Sequence, residues 1–366
     1  MEEKDLFKYF NKPNIKQQQY LDMWITLNRE CNMRCKWCYA ASTGYAKEDK
    51  LSVKDVKDLV KLAKSLGVKN ITLIGGEPTM FNELFQVISF IKQNGLKVIL
   101  VTNGLRLADA IFVNQLSKAG LDSLSISIKG YDERTYKSNT GGYGFSNIER
   151  AIGNVCDLNI ELLITIVITY ENINYLPEMI EKCQKYGAKR FSFTFSYDFS
   201  GINRKSKYDI NREIFDMVNK FQEVYYDINR MTDGNFRLKQ SFPLCAWNME
   251  FIKMMEKRGQ INYVCQLLKN SGIVFNERKE LIPCNAMHGS GLGVFGVDFW
   301  DSESFLNFVE SREIKKIFQR FRNLPDKKCY SCPWMIKCRG GCISNWYNFS
   351  MLEFLQCKQE RENNVT

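Results

Sequence analysis

The stretch Cys31-Asn-Met-Arg-Cys-Lys-Trp-Cys-Tyr39 decides the fold of this 366-residue chain, because it sets three cysteines at a Cys-x3-Cys-x2-Cys spacing. Thiolates are the usual protein ligands of iron–sulfur clusters. Cys31, Cys35 and Cys38 can ligate three irons of a [4Fe–4S] cube and leave the fourth iron open, as a catalytic metal site does for its substrate. A zinc knuckle or simple burial of the thiols is the alternative. Zinc needs a fourth ligand nearby, and the only histidine, His288, is far downstream.

The sequence around the triplet has the pattern of a parallel α/β sheet. Apolar, strand-like runs alternate with helical patterns, and repeated β–α units of this kind indicate a parallel sheet with helices outside it. Strands are predicted at 23–28, 70–74, 97–102, 123–128, 161–169 and 190–196. Helices are predicted at 52–66, 82–94, 108–119, 145–158, 175–186 and 212–229.

Polar motifs follow the predicted strands at the carboxyl ends, where parallel sheets gather their chemistry. The cysteine loop follows the first strand, Gly75-Gly76-Glu77-Pro78 the second, and Thr102-Asn103-Gly104 the third. Glycines let a backbone approach a ligand closely, and a carboxylate suits a protonated amine. For the Gly-Gly-Glu-Pro segment by itself, an ordinary turn at a strand end is the alternative.

Composition sets consistent bounds. The hydrophobic content of 45% suffices for a core of one large or two ordinary domains. No run of 18 apolar residues exists and the first five residues lack a signal-peptide core, so we expect a cytoplasmic protein without a membrane partner. Thirteen cysteines in such a chain indicate metal sites rather than disulfides. The net charge of +10 is spread over helices and forms no nucleic-acid motif.

A second cysteine group lies near the C-terminus as Cys329-x2-Cys332-x5-Cys338-x3-Cys342, followed by Cys357. Cys265 and Cys284 stand upstream of it. A zinc ribbon is the alternative for such pairs. Two other cysteines, Cys156 and Cys183, fall within helical patterns and are expected to be small buried hydrophobic residues.

Together the two cysteine groups make the chain resemble the radical SAM superfamily, and within it the SPASM-type subgroup, from about residue 22 to the C-terminus. The resemblance implies an α/β fold, with a partial (β/α)6 barrel followed by a small cysteine-rich SPASM domain. We expect an N-terminal extension at 1–21, the barrel at 22–200, a bridge at 201–260 and the SPASM domain at 261–366.

The resemblance also implies a cofactor site. In that superfamily the cysteine triplet holds a cluster whose free iron is chelated by S-adenosylmethionine (SAM), and the reduced cluster cleaves SAM to a 5′-deoxyadenosyl radical. The backbone of Tyr39 would lie near the adenine, and the segment Gly75, Gly76, Glu77 and Pro78 would hold the methionyl ammonium. Thr102 and Asn103 are further candidates for cofactor contacts.

The fourth predicted strand adds two more cofactor candidates, Ser127 and Lys129, on one strand face. Many SPASM relatives carry an aspartate where Lys129 stands, whereas other radical SAM enzymes use a lysine near the cofactor carboxylate. Ser127 would then contact the ribose hydroxyls and Lys129 the methionyl carboxylate. The alternative is a merely solvated strand face.

By resemblance, the C-terminal cysteines hold two auxiliary [4Fe–4S] clusters, which makes three clusters in all. The first would be bound by Cys265, Cys284 and Cys342, and the second by Cys329, Cys332, Cys338 and Cys357. The identity of the fourth ligand of the first cluster is undecided: it is either Cys245 or a substrate group. Lys279 stands where a glycine is usual, so the conformation of the turn between Cys265 and Cys284 is undecided as well.

Four residues are candidates for the chemistry on substrate. Tyr197 and Asp198 follow the sixth strand, and a base must lie within hydrogen-bond reach of its proton. His288 is a third candidate, against the ordinary structural role of a lone histidine, and Cys245 is a cluster ligand or a hydrogen-atom donor. In anaerobic sulfatase maturases an aspartate follows the second SPASM cysteine, and Asn285 at that position argues against this activity.

The implied function is oxidative modification of a ribosomally synthesised peptide, with a thioether or carbon–carbon cross-link as product. A sulfatase-maturing formylglycine synthase and a peptide epimerase are the other enzymatic readings, and an electron carrier or zinc scaffold is the non-catalytic one. Expected partners are a precursor peptide and an electron donor such as flavodoxin or ferredoxin, in a low-oxygen cytoplasm. Only about 22 residues precede the barrel, so leader recognition falls to the barrel, the bridge or a separate protein.

Overall fold

Eleven strands of the described chain form one sheet in the order β11-β10-β9-β1-β2-β3-β4-β5-β6-β7-β8. The computed structural model describes residues 20–38, 41, 44–196, 207–263, 265–269, 271–322, 329 and 331–342. The strands are β1 (Asp22–Thr26), β2 (Asn70–Ile74), β3 (Lys97–Thr102), β4 (Ser123–Ile128), β5 (Glu161–Ile168), β6 (Phe191–Phe195), β7 (Phe236–Lys239), β8 (Ile261–Asn262), β9 (Gly272–Phe275), β10 (Glu280–Leu281) and β11 (Gly293–Val294).

Strands β1 to β8 are parallel to their neighbours, and β9 pairs parallel with β1 on its other side. Only the pairs β9–β10 and β10–β11 are antiparallel within the described residues. The two ends of the sheet, β8 and β11, do not pair with each other. The architecture is thus an open, barrel-like α/β sheet, which confirms the predicted fold class.

Helices cover the sheet. They are α1 (Val53–Ser65), α2 (Leu84–Gln93), α3 (Ala110–Ala119), α4 (Glu133–Thr140), α5 (Phe145–Cys156), α6 (Leu176–Lys185), α7 (Lys207–Met231), α8 (Met249–Lys257), α9 (Gln266–Lys269), α10 (Ser302–Glu310), α11 (Arg312–Arg322) and α12 (Met335–Cys338). None of those described is long and apolar enough to cross a membrane.

The local sequence explains why the predicted helices form where they do. Helix α1 begins after Ser52, whose hydroxyl accepts the Asp55 N–H while the Asp55 carboxylate accepts the Ser52 N–H. This capping box satisfies backbone donors that a helix start leaves unpaired. Apolar residues spaced three and four apart, such as Val56, Leu59 and Val60, are buried against the sheet. Each buried aliphatic side chain of this kind contributes about 1.5–3 kcal/mol.

The sheet does not stop at residue 200, where the barrel was expected to end. Strands β7 and β8 lie in the segment interpreted as a bridge, and β9 comes from the C-terminal region. These strands are only two to four residues long. In β7, buried Phe236 and Leu238 alternate with exposed Arg237 and Lys239, which is too short a pattern to identify a strand by periodicity.

Lys279 adopts the backbone conformation for which glycine is the usual residue. Its φ is +61°, in the left-handed region that side chains with a Cβ rarely enter. The turn nevertheless joins β9 to β10, with a bond of 3.1 Å from the Lys279 N–H to the Asn276 carbonyl. The Lys279 ammonium lies 3.1 Å from the Asp55 carboxylate on α1. The departure from the family glycine therefore leaves the hairpin formed.

A buried ion pair joins the first strand to the C-terminal half of the chain. Arg29, just beyond β1, and Glu277, just beyond β9, have side chains 1% exposed, with Nη2 and Oε2 2.8 Å apart. The contact is close, but it lacks the angles of a hydrogen bond, and no described group bonds Nε or Nη1 either. A buried guanidinium in this state depends on its carboxylate partner for compensation of its charge.

We expect Glu277→Gln to destabilise the protein by about 3–5 kcal/mol, because it leaves the Arg29 charge buried without a counterion. The urea midpoint of the anaerobically prepared protein measures this loss. Glu250→Gln is the matched control, since Glu250 pairs with Lys253 on the surface of α8 and such pairs contribute less than about 1 kcal/mol. Equal midpoints for the two variants would show that the buried pair contributes no more than an exposed one.

Candidate active site

The cysteine triplet lies on the loop that leaves β1. Burial is the main cause that raises the pKa of the Cys31 thiol to about 12, and the charges of Glu77, Cys35 and Cys38 act in the same direction. The Met33 N–H, 3.4 Å from the Cys31 sulfur, opposes them. The three thiols are therefore electrostatic neighbours on one loop. This is the donor set that three irons of a cube require.

Helix α4, which the sequence analysis did not predict, holds this loop in place. The Arg34 N–H bonds the Thr140 carbonyl at 2.7 Å, and the Lys36 N–H bonds the Asn139 carbonyl at 3.1 Å. Buried Met33 packs under the same helix, with its sulfur 3.6 Å from the Tyr136 hydroxyl. The helix had a signal in Asp132-Glu-Arg-Thr135, whose ends form a capping box, but its helical stretch has little apolar periodicity.

Glu77 is a buried carboxylate that ties two strand ends together. Its Oε1 accepts hydrogen bonds from the Thr79 hydroxyl at 2.7 Å and the Thr102 hydroxyl at 2.6 Å, and also from the Thr79 N–H at 3.1 Å. Its Oε2 accepts one, from the Asn103 N–H at 2.7 Å. Only Oε2 keeps a lone pair for a further donor. Thr102 and Asn103, predicted as cofactor contacts, thus donate hydrogen bonds to the Glu77 carboxylate.

Gly75 and Gly76 are needed for contact between two loops of the protein itself. A Cβ on Gly75 would lie 2.2 Å from the Asn28 side-chain oxygen, and one on Gly76 would lie 2.2 Å from the Arg29 carbonyl oxygen. The Gly76 N–H bonds the Asn28 carbonyl at 2.8 Å and the Glu77 N–H bonds the Glu30 carbonyl at 2.8 Å. The close approach that the sequence assigned to a ligand is made to the cysteine loop, while Pro78 begins a short 3-10 turn.

Lys129 lies beside the triplet at the end of β4. Burial raises the pKa of the Cys35 thiol, and the Lys129 ammonium opposes that rise. The lysine is 7% exposed, and its ammonium donates to the Ser127 carbonyl at 3.0 Å. Asn139 of α4 donates to the Lys129 carbonyl at 2.7 Å. Helix α4 therefore positions both the cysteine loop and this lysine.

Ser127, the other candidate on β4, is half-buried and lies two residues along the strand from Ser125, on the same face. Ser125 is engaged with the Thr165 hydroxyl of β5 at 2.9 Å. Four further candidates lie outside the described residues, namely Tyr39, Tyr197, Asp198 and Cys357. Their assignments stay predictions.

Cys284 has Cys342 and Cys265 as electrostatic neighbours, and these are the three cysteines that the resemblance assigns to the first auxiliary cluster. Burial is the main cause that raises the pKa of the Cys284 thiol to about 12, and the charges of Cys342 and Cys265 raise it as well. Cys265 and Cys284 also pack around the small apolar cluster of Leu267 and Met287. These three thiols are placed to act as a separate donor set.

A second group surrounds a cavity of about 230 Å³. Four cysteines line it, and they are Cys245, Cys329, Cys332 and Cys338. Trp247 and Trp334 line the same cavity. Cys245 was one of two candidates to complete the group of Cys265, Cys284 and Cys342, the other being a substrate group, and here it lines a cavity with three other cysteines. Sequence spacing could not reveal it, because more than 80 residues separate Cys245 from Cys329.

The thiols of the cysteine groups are the donors that iron–sulfur clusters use. Among the described side chains, no three of Cys, His, Asp and Glu are arranged to hold a single metal ion. A cube differs from a single ion, because each thiolate binds its own iron and the sulfurs stay apart. The triplet and the four-cysteine cavity both supply thiols spaced around a common region. The residues present therefore fit [4Fe–4S] groups.

His288 contacts the buried ion pair of Arg29 and Glu277. Its Nε2 lies 3.0 Å from the Glu277 Oε2, so the carboxylate orients the imidazole. Asn285 is close by in sequence, and its side-chain oxygen is buried without a hydrogen-bond partner in the described part of the chain.

Cys183 is buried as predicted, whereas Cys156 is exposed at the end of α5. The prediction of a buried Cys156 is wrong, because Cys156 is the last residue of α5 and lies outside the buried face that Ile152 and Val155 form.

Comparisons with known proteins identify a superfamily for part of this chain. The radical SAM superfamily matches residues 25–183. A probable GTP 3′,8-cyclase of Thermococcus kodakarensis is 31% identical over 128 residues, which cover 35% of this chain and 41% of the cyclase. The match thus spans less than half of that protein. The Fe-coproporphyrin III synthase of Methanosarcina barkeri is 22% identical over 357 residues, with 89% of this chain and 83% of the synthase covered.

A solved structure extends the likeness to the C-terminal half. SuiB of Streptococcus suis bound to its precursor peptide SuiA superposes with a TM-score of 0.71, at 19% identity, over 93% of this chain and 75% of SuiB. At this identity the match shows a shared fold. It includes the cysteine-rich region that the superfamily match does not reach. With the cysteine triplet on the loop after β1 and the superfamily match over residues 25–183, this part of the chain is a radical SAM domain.

Proposed function

We propose that this radical SAM enzyme oxidises a carbon of a ribosomally synthesised peptide and joins that carbon to a nearby group. The observation that carries the proposal is the set of two cysteine groups beyond the SAM site, one around Cys284 and one around the four-cysteine cavity. Three donor sets in one chain supply one cluster for SAM and two that can accept an electron. The fold shared with SuiB, which was solved with a precursor peptide, supports a peptide as substrate.

Cys31, Cys35 and Cys38 would hold the SAM-binding cluster, and the two other groups the auxiliary clusters. When bound and reduced, the first cluster with SAM supplies a 5′-deoxyadenosyl radical. The chain's own residues orient SAM: Glu77 keeps one lone pair on Oε2 for the methionyl ammonium. Ser127 faces the same side of β4 as Lys129 and is assigned to the ribose.

Lys129 is assigned to the methionyl carboxylate. Its ammonium is buried beside Cys35 and bonds a neutral carbonyl, and no described carboxylate forms an ion pair with it. Burying an ammonium without a counterion is costly, so a ligand carboxylate at this place would gain a charge-assisted hydrogen bond. The departure from the aspartate of many SPASM relatives is consistent with this role.

The overall reaction removes two hydrogens from the peptide. One would leave the carbon as a hydrogen atom, and the partner group would lose its proton as the new bond forms. An auxiliary cluster, when bound, would supply the acceptor for the remaining electron. His288 is the described candidate for accepting the proton, since Glu277 engages Nε2 and leaves Nδ1 for substrate. Tyr197 and Asp198 are the other candidates. A flavodoxin or ferredoxin is proposed as the electron donor.

Two other enzymatic functions have less support from the site. A formylglycine-forming activity calls for a base directly after the second SPASM cysteine, and the amide of Asn285 cannot accept a proton in this way. A peptide epimerase calls for a thiol hydrogen donor, and Cys245 instead shares a cavity with three other cysteines. The cyclase and the coproporphyrin synthase act on other molecules by name, which makes mass analysis of a peptide the decisive test.

Cleavage of SAM tests the assignment of the cysteine triplet. The reduced wild-type protein should cleave SAM to 5′-deoxyadenosine, and the variant with Cys31, Cys35 and Cys38 changed to alanine should not, because it loses the ligands of the open-site cluster. Chromatography of 5′-deoxyadenosine measures both. Cys156→Ala, which removes an exposed thiol on α5, is the control and should keep full cleavage. Cleavage by the triple variant would refute the assignment of the site.

Lys129→Met should weaken SAM binding by about 10- to 100-fold, because a charge-assisted hydrogen bond contributes about 1.5–3 kcal/mol. Isothermal titration or the KM for SAM cleavage measures the change. Lys129→Arg should recover part of the affinity by restoring the charge. Lys137→Met on α4, where the lysine lies over the Tyr143 ring, is the control. An unchanged affinity in Lys129→Met would remove this lysine from the SAM site.

The product prediction uses a short peptide encoded beside this chain's gene, incubated anaerobically with the reduced enzyme and SAM. A cross-link should lower the peptide mass by about two hydrogens, one removed by the radical and one as a proton. Tandem mass spectrometry locates the bond. An unchanged mass with an inverted residue would indicate an epimerase, and the gain of a methyl group would contradict both functions.

A further inference from the structure

We infer that Cys245 is the fourth thiolate ligand of the auxiliary cluster held by Cys329, Cys332 and Cys338. This position goes to Cys357 when the family pattern is carried over along the sequence. The inference rests on the proposed auxiliary clusters, and it assigns one of them a ligand from the segment between β7 and α8 rather than from the C-terminal tail.

A shared cavity brings Cys245 to the three other cysteines. Cys245 lines the same 230 Å³ space as Cys329, Cys332 and Cys338. This volume is several times the roughly 30 Å³ that one water molecule occupies in the liquid, so it admits a group of several heavy atoms. The rest of the lining is largely apolar and includes Trp247 and Trp334. A cavity with four thiols and a wall that is apolar apart from Arg339 suits a cluster with four thiolate ligands.

Hydrogen bonds fix the Cys245 segment against the Cys338 segment. The Leu244 N–H donates to the Cys338 sulfur at 3.2 Å. The Gln240 side-chain amide donates to the Cys338 carbonyl at 3.0 Å, and the Cys342 N–H donates to the Ser241 carbonyl at 3.0 Å. Three bonds over six residues leave the residue after Leu244 little freedom. Cys245 is therefore held at the cavity by the backbone of the cysteine-rich segment itself.

Gly341 makes this close approach possible. A Cβ at this position would lie 2.7 Å from both the Phe242 carbonyl carbon and the Ser241 carbonyl oxygen, and the glycine has a φ of +80°. Both the space and the backbone conformation exclude a side chain. The Gly-Gly pair between Cys338 and Cys342 thus serves to bring residues 241–242 against the cluster-binding segment.

The Leu244 N–H has a direct chemical role in this arrangement. An N–H bond to a ligating sulfur stabilises the thiolate form and tunes the potential of the cluster. Cys245 follows directly after this donor, so the one segment would supply both a ligand and a hydrogen bond to another ligand. A thiol placed here as a hydrogen-atom donor to substrate would have to leave this bonded segment.

The test compares Cys245→Ala with Cys156→Ala in the full-length protein after anaerobic reconstitution. Iron and sulfide analysis should give about twelve irons for the wild type and for Cys156→Ala. Cys245→Ala should lose between about one and four irons, with a [3Fe–4S] signal or the disappearance of one cluster from the electron paramagnetic resonance spectrum. Cys245→Ser keeps an oxygen ligand, and should retain the irons but shift the signal and potential of one cluster only.

Two results would overturn the inference. One is full iron content and an unshifted spectrum in both Cys245 variants. The other is loss of the cluster in Cys357→Ala while Cys245→Ala keeps it, which would give the position to Cys357. Failure of the proposed function is seen separately, in the wild type. If that protein does not cleave SAM but Cys245→Ala still loses iron, the ligand assignment stands and the function does not.

Discussion

The buried carboxylate of Glu77 is the interaction on which the arrangement of the SAM site depends. It accepts hydrogen bonds from Thr79, Thr102 and Asn103, and so fixes the end of β2 to the end of β3. Its backbone N–H bonds the Glu30 carbonyl on the cysteine loop. Three loops are thereby held in one geometry by the side chain and the backbone N–H of a single residue. Precise placement of donors before ligand arrives is what a binding site of this kind requires.

Much of the core could be predicted from the sequence, because six strands carry apolar runs and the first three are each followed by a polar motif. The first six predicted strands agree with the structure within about two residues. Helix α4 was missed because it is short and polar, although it holds the cysteine loop. The grouping of Cys245 was not predictable either, since it depends on hydrogen bonds between residues about a hundred positions apart.

The pair of Arg29 and Glu277 shows how the two halves of the chain share one structure. Arg29 lies two residues before the first cluster cysteine, and Glu277 lies on the turn that leads to Cys284. A shift of either turn would separate two charges that have no access to water. The positions of the cysteine triplet and of the segment leading to Cys284 are therefore both tied to this buried ion pair, and His288 is held at the same point.

The extension of the sheet has a consequence for dissecting the protein. Since β9 pairs with β1 and β7 pairs with β6, a fragment limited to residues 22–200 would expose two edge strands whose backbone groups are covered in the whole chain. Uncovered parallel edges of apolar strands template association with other chains. Fragments cut at the end of β6 should therefore aggregate.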